Sequence, residues 1–424
     1  LAFGVVIAVA TTVLFGVVSA LRSVSSPSVA RVSARLGGFR LIVAEIAIGL
    51  VLSVLAALMI RSLVNLRSVD LGFETTSIVA GRVSLPSERY PDAERQRAFF
   101  AALLSAVRST PGVASASIAT TRPFACCAPA TVVVDAQRLD ENAAGTTDVR
   151  FVDESYFATL RVPVIEGSVF GASETRDGPP RAVVTRSLAR ALWGAENPIG
   201  KRVSMKLNGT TVAEVIGVVG DVHLADARTA VRPALFLSTA RFASSERDII
   251  VRGAGDAAAT LVAVRDALAS LDASLPLYRA TSLETAVDTT IARDRFIALL
   301  LGAFAVLALL LAAVGVYGVF SSDVSRRRRE IGIRLALGAG RASVIGLVLR
   351  RALAPTIAGL AIGTIAALGL ARSMSAMVFG VETSDPISFV AVAATLIVTA
   401  GVSTLVPAIR AARVAPVEVL KSDS

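Results

Sequence analysis

The chain has 424 residues, of which 54% are hydrophobic and 18% charged, with a mean hydropathy of +0.67 and a formal net charge of +10. A soluble domain carries about a quarter of charged residues, so this composition is apolar beyond the needs of a core and points to a membrane. The arginines gather at the ends of apolar stretches and not on a polar face interleaved with aromatics, which argues against nucleic acid as a partner.

Five stretches reach the roughly 20 residues needed to cross a bilayer: Leu1–Leu21, Leu41–Ile60, Phe296–Phe320, Ala352–Ala371 and Ile387–Pro407. The first opens on Leu1, already inside an apolar run. It reads as the edge of a longer chain, because a signal peptide begins with a basic region. "SALRSVSSPSV" at 19–29 also matches "PAIRAARVAPVEV" at 407–419, each leaving a span on Ala-Leu/Ile-Arg and running on to a proline. Residues 1–21 are therefore expected to be a transmembrane helix from a preceding repeat, and 22–40 a cytoplasmic linker; chance likeness between small residues is the alternative. In the second span, 41–60, Glu45 lies about one turn from the first end. There it either snorkels or pairs with a juxtamembrane arginine, and no second titratable residue within a span supports a proton relay.

Residues 61–295 have ordinary soluble composition. "SIVAGRVSL" alternates as a strand, "DAERQRAFFAALLSAVRST" carries Phe99, Leu103 and Val107 at helical spacing, and "GVASASIAT" follows a Pro-Gly turn. The same strand-helix-strand order returns at 248–280. Between them "RAVVTRSLARALWG" (181–194) reads as strand and helix and "AEVIGVVGDVH" (213–223) as a buried strand. The expected fold is an α-helical membrane bundle plus an α+β domain, in which two βαβ-like pieces flank an inserted subdomain. Adjacent Cys126 and Cys127 suit small apolar packing or an intermolecular bond better than a ring between neighbours.

Catalytic chemistry finds no foothold. "GAENPIGKRV" separates Gly194 from Gly200 by five residues and puts Arg202 where a phosphate-binding loop needs Ser or Thr. His223 is the single histidine, and no cysteine spacing suits zinc. Neither catalytic residues nor a metal or cofactor is expected.

After the third span come Arg326, Arg327, Arg328 and Arg329, suited to holding that helix end at an anionic membrane face at about 1 kcal/mol per basic residue. "EIGIRLALGAG" continues with Ile331 and Leu335, and Ile333 and Leu337, paired at i,i+4, and Gly338 and Gly340 suit a helix end. This short helix either lies on lipid or docks on a protein. In the fourth span Gly359 and Gly363 form G-x-x-x-G, which permits close helix packing.

Loop charge gives orientation. Residues 22–40 hold Arg22, Arg31, Arg35 and Arg40; residues 321–351 hold eight arginines against Asp323 and Glu330; the tail holds Arg410, Arg413 and Lys421. The 372–386 connection has only Arg372, opposed by Glu382 and Asp385. The positive-inside rule makes the first three cytoplasmic and leaves 61–295 outside.

"SRRRREIGIRLALGAGRASVIGLVLRRAL" resembles the signature of MacB/FtsX-type ABC transporter permeases. "SYFATLRVPVIEGSVF", "AVVTRSLARALWGAENPIGKRV" and "EVIGVVGDVH" resemble the family's periplasmic core domain, and "LIVAEIAIGLVLSVLAALMIRSLVNLRSVDLGF" resembles the entry into it. The resemblance covers nearly the whole chain in order. It implies a MacB-like periplasmic core domain at 61–295 and an FtsX-like permease domain at 296–424, with three transmembrane helices and a coupling segment at 325–340. With 1–21 as a span extra to the four-span unit, the chain resembles the C-terminal half of a long tandem-repeat permease of the acidobacterial type. The implied location is the bacterial inner membrane. The implied partners are a separate cytoplasmic ABC ATPase subunit, a periplasmic adaptor, lipid, and a second permease half, as a dimer or a tandem pseudo-dimer. Glu330, Ile331, Ile333, Arg334, Leu335 and Leu337 are the implied ATPase-coupling residues. The implied action is mechanotransmission for export or extraction; the alternative is a signalling scaffold that activates a periplasmic enzyme such as a cell-wall hydrolase.

Overall fold

The computed structural model describes residues 30–125, 129–130, 132–134, 147–171, 178–206, 210–229, 231–337, 340–374, 378–382 and 384–412. The expected span Leu1–Leu21, the paired stretches at 19–29 and 413–419, and Cys126 and Cys127 lie outside these residues. Contacts divide the chain into a helical unit, Leu1–Asn65 with Asp294–Ser424, and an α/β unit, Leu66–Arg293.

After α1 (Ala30–Arg67) the α/β unit runs β1 (Ile78–Ser84), α2 (Ala93–Arg108), β2 (Val113–Ala119), β3 (Pro129–Ala130), β4 (Val132–Val134), β5 (Thr147–Val152), α3 (Tyr156–Leu160), β6 (Val164–Gly167), β7 (Arg181–Thr185), α4 (Arg186–Trp193), β8 (Arg202–Lys206), β9 (Thr210–Val219), β10 (Ala234–Ser238), β11 (Glu246–Gly253), α5 (Ala257–Leu271) and β12 (Tyr278–Ser282). The outer pieces, β1-α2-β2 and β11-α5-β12, interleave as β12-β1-β11-β2 with every neighbouring pair antiparallel. Each βαβ piece therefore straddles a strand of the other, a split βαβ arrangement. The Asp92 carboxylate caps α2 by accepting from the Arg95 amide at 2.7 Å. One turn apart along that helix, Phe99, Leu103 and Val107 bury with Val264 and Leu268 of α5 against Val79, Ile118 and Ile249 of the strands.

The insert extends the same sheet as β5-β10-β7-β9-β8-β4, with β5 parallel to β10 and β7 parallel to β9. The two parts of the sheet meet through one register pair, Ala119 with Val152. Side chains reinforce that thin seam. Arg252 of β11 donates from Nε to the Thr159 carbonyl at 2.9 Å, and Arg108 of α2 donates to Ser155 Oγ at 2.8 Å. Beneath it the Tyr156, Phe157 and Phe236 rings pack with centroids 5.1 to 5.9 Å apart.

The helical unit continues with α6 (Leu283–Arg326), α7 (Arg328–Ala336), α8 (Arg341–Ser373) and α9 (Pro386–Ala412). Among the described residues, α1, α6, α8 and α9 are long and apolar enough to cross a membrane. Hydropathy locates only their apolar centres. The polar flanks at 30–40, 61–67 and 283–295 are helical too, so α6 alone reaches 44 residues, about 66 Å at 1.5 Å per residue. The far end of α1 is tied to the loop before α9. Arg61 pairs with Asp385, the Phe379 amide donates to Ser62 Oγ at 2.8 Å, and Asn65 donates to the Gly380 carbonyl at 2.8 Å.

The G-x-x-x-G motif packs α8 on α1 within one chain. A Cβ on Gly359 would stand 2.8 Å from Ile46 Cβ, and one on Gly363 would stand 2.9 Å from the Ala47 carbonyl oxygen. Gly369, farther along α8, has nothing within 4 Å. Gly363→Ala should therefore cost about 1–3 kcal/mol through forced separation of the helices, whereas Gly369→Ala should be neutral or slightly stabilising. Thermal unfolding of the two purified variants in detergent checks the contrast.

Candidate functional site

The sequence draws attention to the turn from α6 through α7 to α8, where charge and apolar residues crowd together. The helix breaks at Arg327, whose amide bonds back to the carbonyls of Asp323 and Val324 at 3.2 Å; its own carbonyl then accepts from the Ile331 amide at 3.0 Å. The break is held by charge. Arg327 donates from Nε to Asp323 Oδ1 and from Nη1 to Glu330 Oε2, both at 3.1 Å. Glu330 also meets Arg334 at 3.0 Å, and Asp323 meets Arg351 of α8 at 3.9 Å. Alternating charges thus run Arg351–Asp323–Arg327–Glu330–Arg334 across three helices.

The four arginines at the head of this segment are consequently not equivalent. Arg326, Arg328 and Arg329 are exposed, while Arg327 is half-buried in the ladder. The α7 residues separate in the same way. Ile331 is buried among Ile42, Val316, Phe320, Val348 and Ala408, so it anchors α7 to the bundle. Ile333 is 46% exposed and Leu337 82% exposed. Of the i,i+4 pair Ile331 and Leu335, Ile331 therefore faces the bundle. The side chain of Leu335 lies outside the described residues. α8 begins at Arg341 with Gly340 at its cap.

Deeper in the bundle, Glu45 Oε2 is buried with no hydrogen-bond partner among the described residues, and a Cβ on Gly315 of α6 would stand 1.9 Å from that oxygen. Gly315 thus makes the space the carboxyl group occupies. His223 sits in the α/β unit with Nδ1 3.3 Å from the Asp226 carbonyl oxygen. Among the described residues no cluster of His, Cys, Asp and Glu could hold a metal.

Residues 41–271, more than half of the chain, match the MacB-like periplasmic core domain, and residues 302–416 match the FtsX-like permease C-terminal domain. The chain belongs to the MacB/FtsX-type permeases. It is similar to the pyoverdine export ATP-binding/permease protein PvdT of Pseudomonas fluorescens (strain Pf0-1), at 29% identity over 64% of this chain and 42% of that protein. It is also similar to the macrolide export ATP-binding/permease protein MacB of Chlorobium luteolum, at 29% identity over 61% of this chain and 40% of that one. The chain therefore spans about two fifths of the length of these relatives. The crystal structure of the periplasmic region of MacB from Actinobacillus actinomycetemcomitans aligns at a TM-score of 0.36 and 16% identity, over 54% of this chain and 97% of that one.

A MacB/FtsX-type permease is a membrane component of the ABC-transporter class, and its periplasmic-domain family match runs from α1 through most of the α/β unit. Within this permease the charge ladder is what sequence reading passed over. Its signal was available: Asp323 with Arg327 and Glu330 with Arg334 are both i,i+4 pairs with the acid first, the favourable order on a helix. Because these pairs are partly solvated, each contributes modestly. Arg327→Gln should lower the stability of the helical unit by about 1 kcal/mol, while Arg326→Gln and Arg328→Gln should leave it unchanged. Comparing the melting temperatures of the three variants distinguishes a positional role from a shared charge.

Proposed function

We propose that this chain is the permease subunit of an ABC transporter that carries ATP-driven motion from the cytoplasm to a periplasmic domain. In this reading residues 61–295 form the periplasmic core domain and 296–424 the FtsX-like permease domain in the bacterial inner membrane. The ATPase lies outside these 424 residues, on a separate subunit. The work done is export or extraction of a substrate with a periplasmic adaptor as partner, by a dimer of such chains or a tandem pseudo-dimer.

One observation carries the reading: α7 is fixed to the bundle on one side by Ile331 and presents Ile333, Arg334 and Leu337 on the other. A helix tied rigidly at its inner face passes a push on its outer face into the helices behind it. Lipid anchoring accounts for exposed Ile333 and Leu337 and for a guanidinium at the headgroups; a protein surface uses the same side chains and also the fixed position that Glu330 gives Arg334. Glu330 and Arg334 set the polar rim of the coupling contact, Leu335 belongs to the same segment, and Arg326, Arg328 and Arg329 hold the helix end at the lipid headgroups.

Two experiments test it. Single cysteines at Ser109 and Ser343, after removal of Cys126 and Cys127, should differ: the first labels with an impermeant reagent in intact cells and the second does not. The reverse pattern ends the orientation. For coupling, Leu337→Asp and Arg334→Glu should leave membrane insertion intact yet abolish co-purification of the ATPase, a loss of a few kcal/mol at a packed interface. Full ATPase association with Leu337→Asp at normal membrane levels would return α7 to a lipid anchor. Capture of a cell-wall hydrolase in place of an adaptor by the periplasmic domain would move the function to transmembrane signalling.

A further inference from the structure

The seam between the split βαβ part and its insert holds a cleft of about 250 Å3. Arg97, Ala101, Leu104 and Arg108 line it from one face of α2, following helical spacing. Arg247 of β11 lines it from the sheet, and Phe170 and the Ser238–Ala240 strand end close it from the insert.

Among the described residues the charges in this cleft do not balance. Arg247 is only 4% exposed; it donates from Nη2 to the Phe242 carbonyl at 2.5 Å, and its Nε has no acceptor. Its Cζ lies 5.4 Å from the Phe100 ring centroid, a cation–π contact, and the nearby Asp153 carboxylate offsets its charge only in part. Burial, and then the like charge of Arg97, push the Arg247 pKa down to about 10. Asp153 also lines the cleft but is committed elsewhere: it accepts from Ser117 Oγ at 2.6 Å and from Arg108 Nη2 at 3.2 Å. Glu154, exposed at the rim, is the remaining acid. Counting all five as ionised, three arginines face two carboxylates among the described residues, so the Arg97–Arg247 repulsion is offset only in part by Asp153.

We propose that this cleft is a binding site for an oxyanion, a carboxylate or phosphate, borne on a small apolar group. The oxyanion sits between Arg97 and Arg247, where it supplies the missing acceptor and offsets the paired positive charges, as a planar guanidinium fork favours. The apolar portion rests against Leu104, Ile118 and Phe170. Glu154 at the rim opposes the anion. At about 30 Å3 per water, the space equals roughly eight water molecules, which suits a substituted ring and not an extended lipid.

Calorimetric titration of the full chain in nanodiscs tests the site, with phenyl phosphate, benzoate, inorganic phosphate and benzyl alcohol as probes. Phenyl phosphate or benzoate should bind saturably, whichever is tighter identifying the oxyanion. Inorganic phosphate should be weaker and benzyl alcohol should not bind. Arg97→Gln should weaken the better probe roughly tenfold or more, Glu154→Gln should strengthen it, and rising salt should weaken it. Because Arg97 is half-exposed, Arg97→Gln should fold normally and, without ligand, melt no lower than the parent. Three results overturn the proposal: no saturable binding of either aromatic anion to the folded chain, equal binding by Arg97→Gln, or a lowered melting point of unliganded Arg97→Gln. None of them depends on ATPase coupling.

Discussion

The helical unit is organised by the enclosure of α1. Half of its apolar window is buried within the unit, against 22–28% for α6, α8 and α9. Lipid tails give apolar side chains no reason to prefer a neighbouring helix, so association in a membrane relies on close packing. α1 obtains it from three sides. Ile46 and Ala47 fit over Gly359 and Gly363 of α8, Glu45 fills the space above Gly315 of α6, and Gly49 lies under Leu396 of α9. The small residues are distributed among the helices so that each partner meets α1 where one of the two has no side chain. The exposed Leu310, Val314, Ile365 and Val398 sit on outer surfaces, as lipid-facing residues do.

That packing gives the proposed transmission its mechanical sense. A helix of 44 residues carries force only if it is held along its length and at its ends. Within the helical unit α6 contributes Ala298, Leu301 and Ala305 to the bundle core and ends beside the Arg327 ladder. At Arg327 side-chain ion pairs reinforce a break that few backbone bonds cross. Such a joint can bend at little cost, because partly solvated ion pairs exchange partners with water readily. A hydrophobic joint would be stiffer, and a glycine would transmit less.

Much of the fold was legible because its determinants are local. Alternation identified β1, and helical period with Phe99, Leu103 and Val107 identified α2. The repeat of this order at 248–280 identified the interleaved outer pieces. The insert was harder, and β5 shows why. All six of its residues are buried, including Asp148 and Arg150, so the run "TDVRFV" reads as polar although it occupies the interior. Arg150 is tolerated there because it donates to the carbonyls of Thr121, Arg122 and Leu224 at 2.7, 2.8 and 3.1 Å. Those acceptors lie up to 74 residues away, and no short window can anticipate them. The lengths of α1 and α6 escaped for the opposite reason: hydropathy registers a membrane's thickness and is blind to polar helix beyond it.

The same distinction separates what arginine does in this chain from how many arginines it has. Net charge and loop asymmetry treat each as one positive unit, enough for orientation because the anionic leaflet responds to their sum. Inside the α/β unit the guanidinium acts through its shape. Arg150 gathers three carbonyls from separate segments, and Arg252 joins Thr159 to Glu74 across the sheet seam. A lysine carries the same charge but lacks the rigid fork that makes such multiple contacts. Arg327 stands between the two cases: its neighbours in sequence share its charge, and only its position at the helix break brings Asp323 and Glu330 within reach at once. Charge is therefore additive at the membrane face and specific to geometry everywhere else, and four adjacent identical residues can divide into a joint and its surroundings.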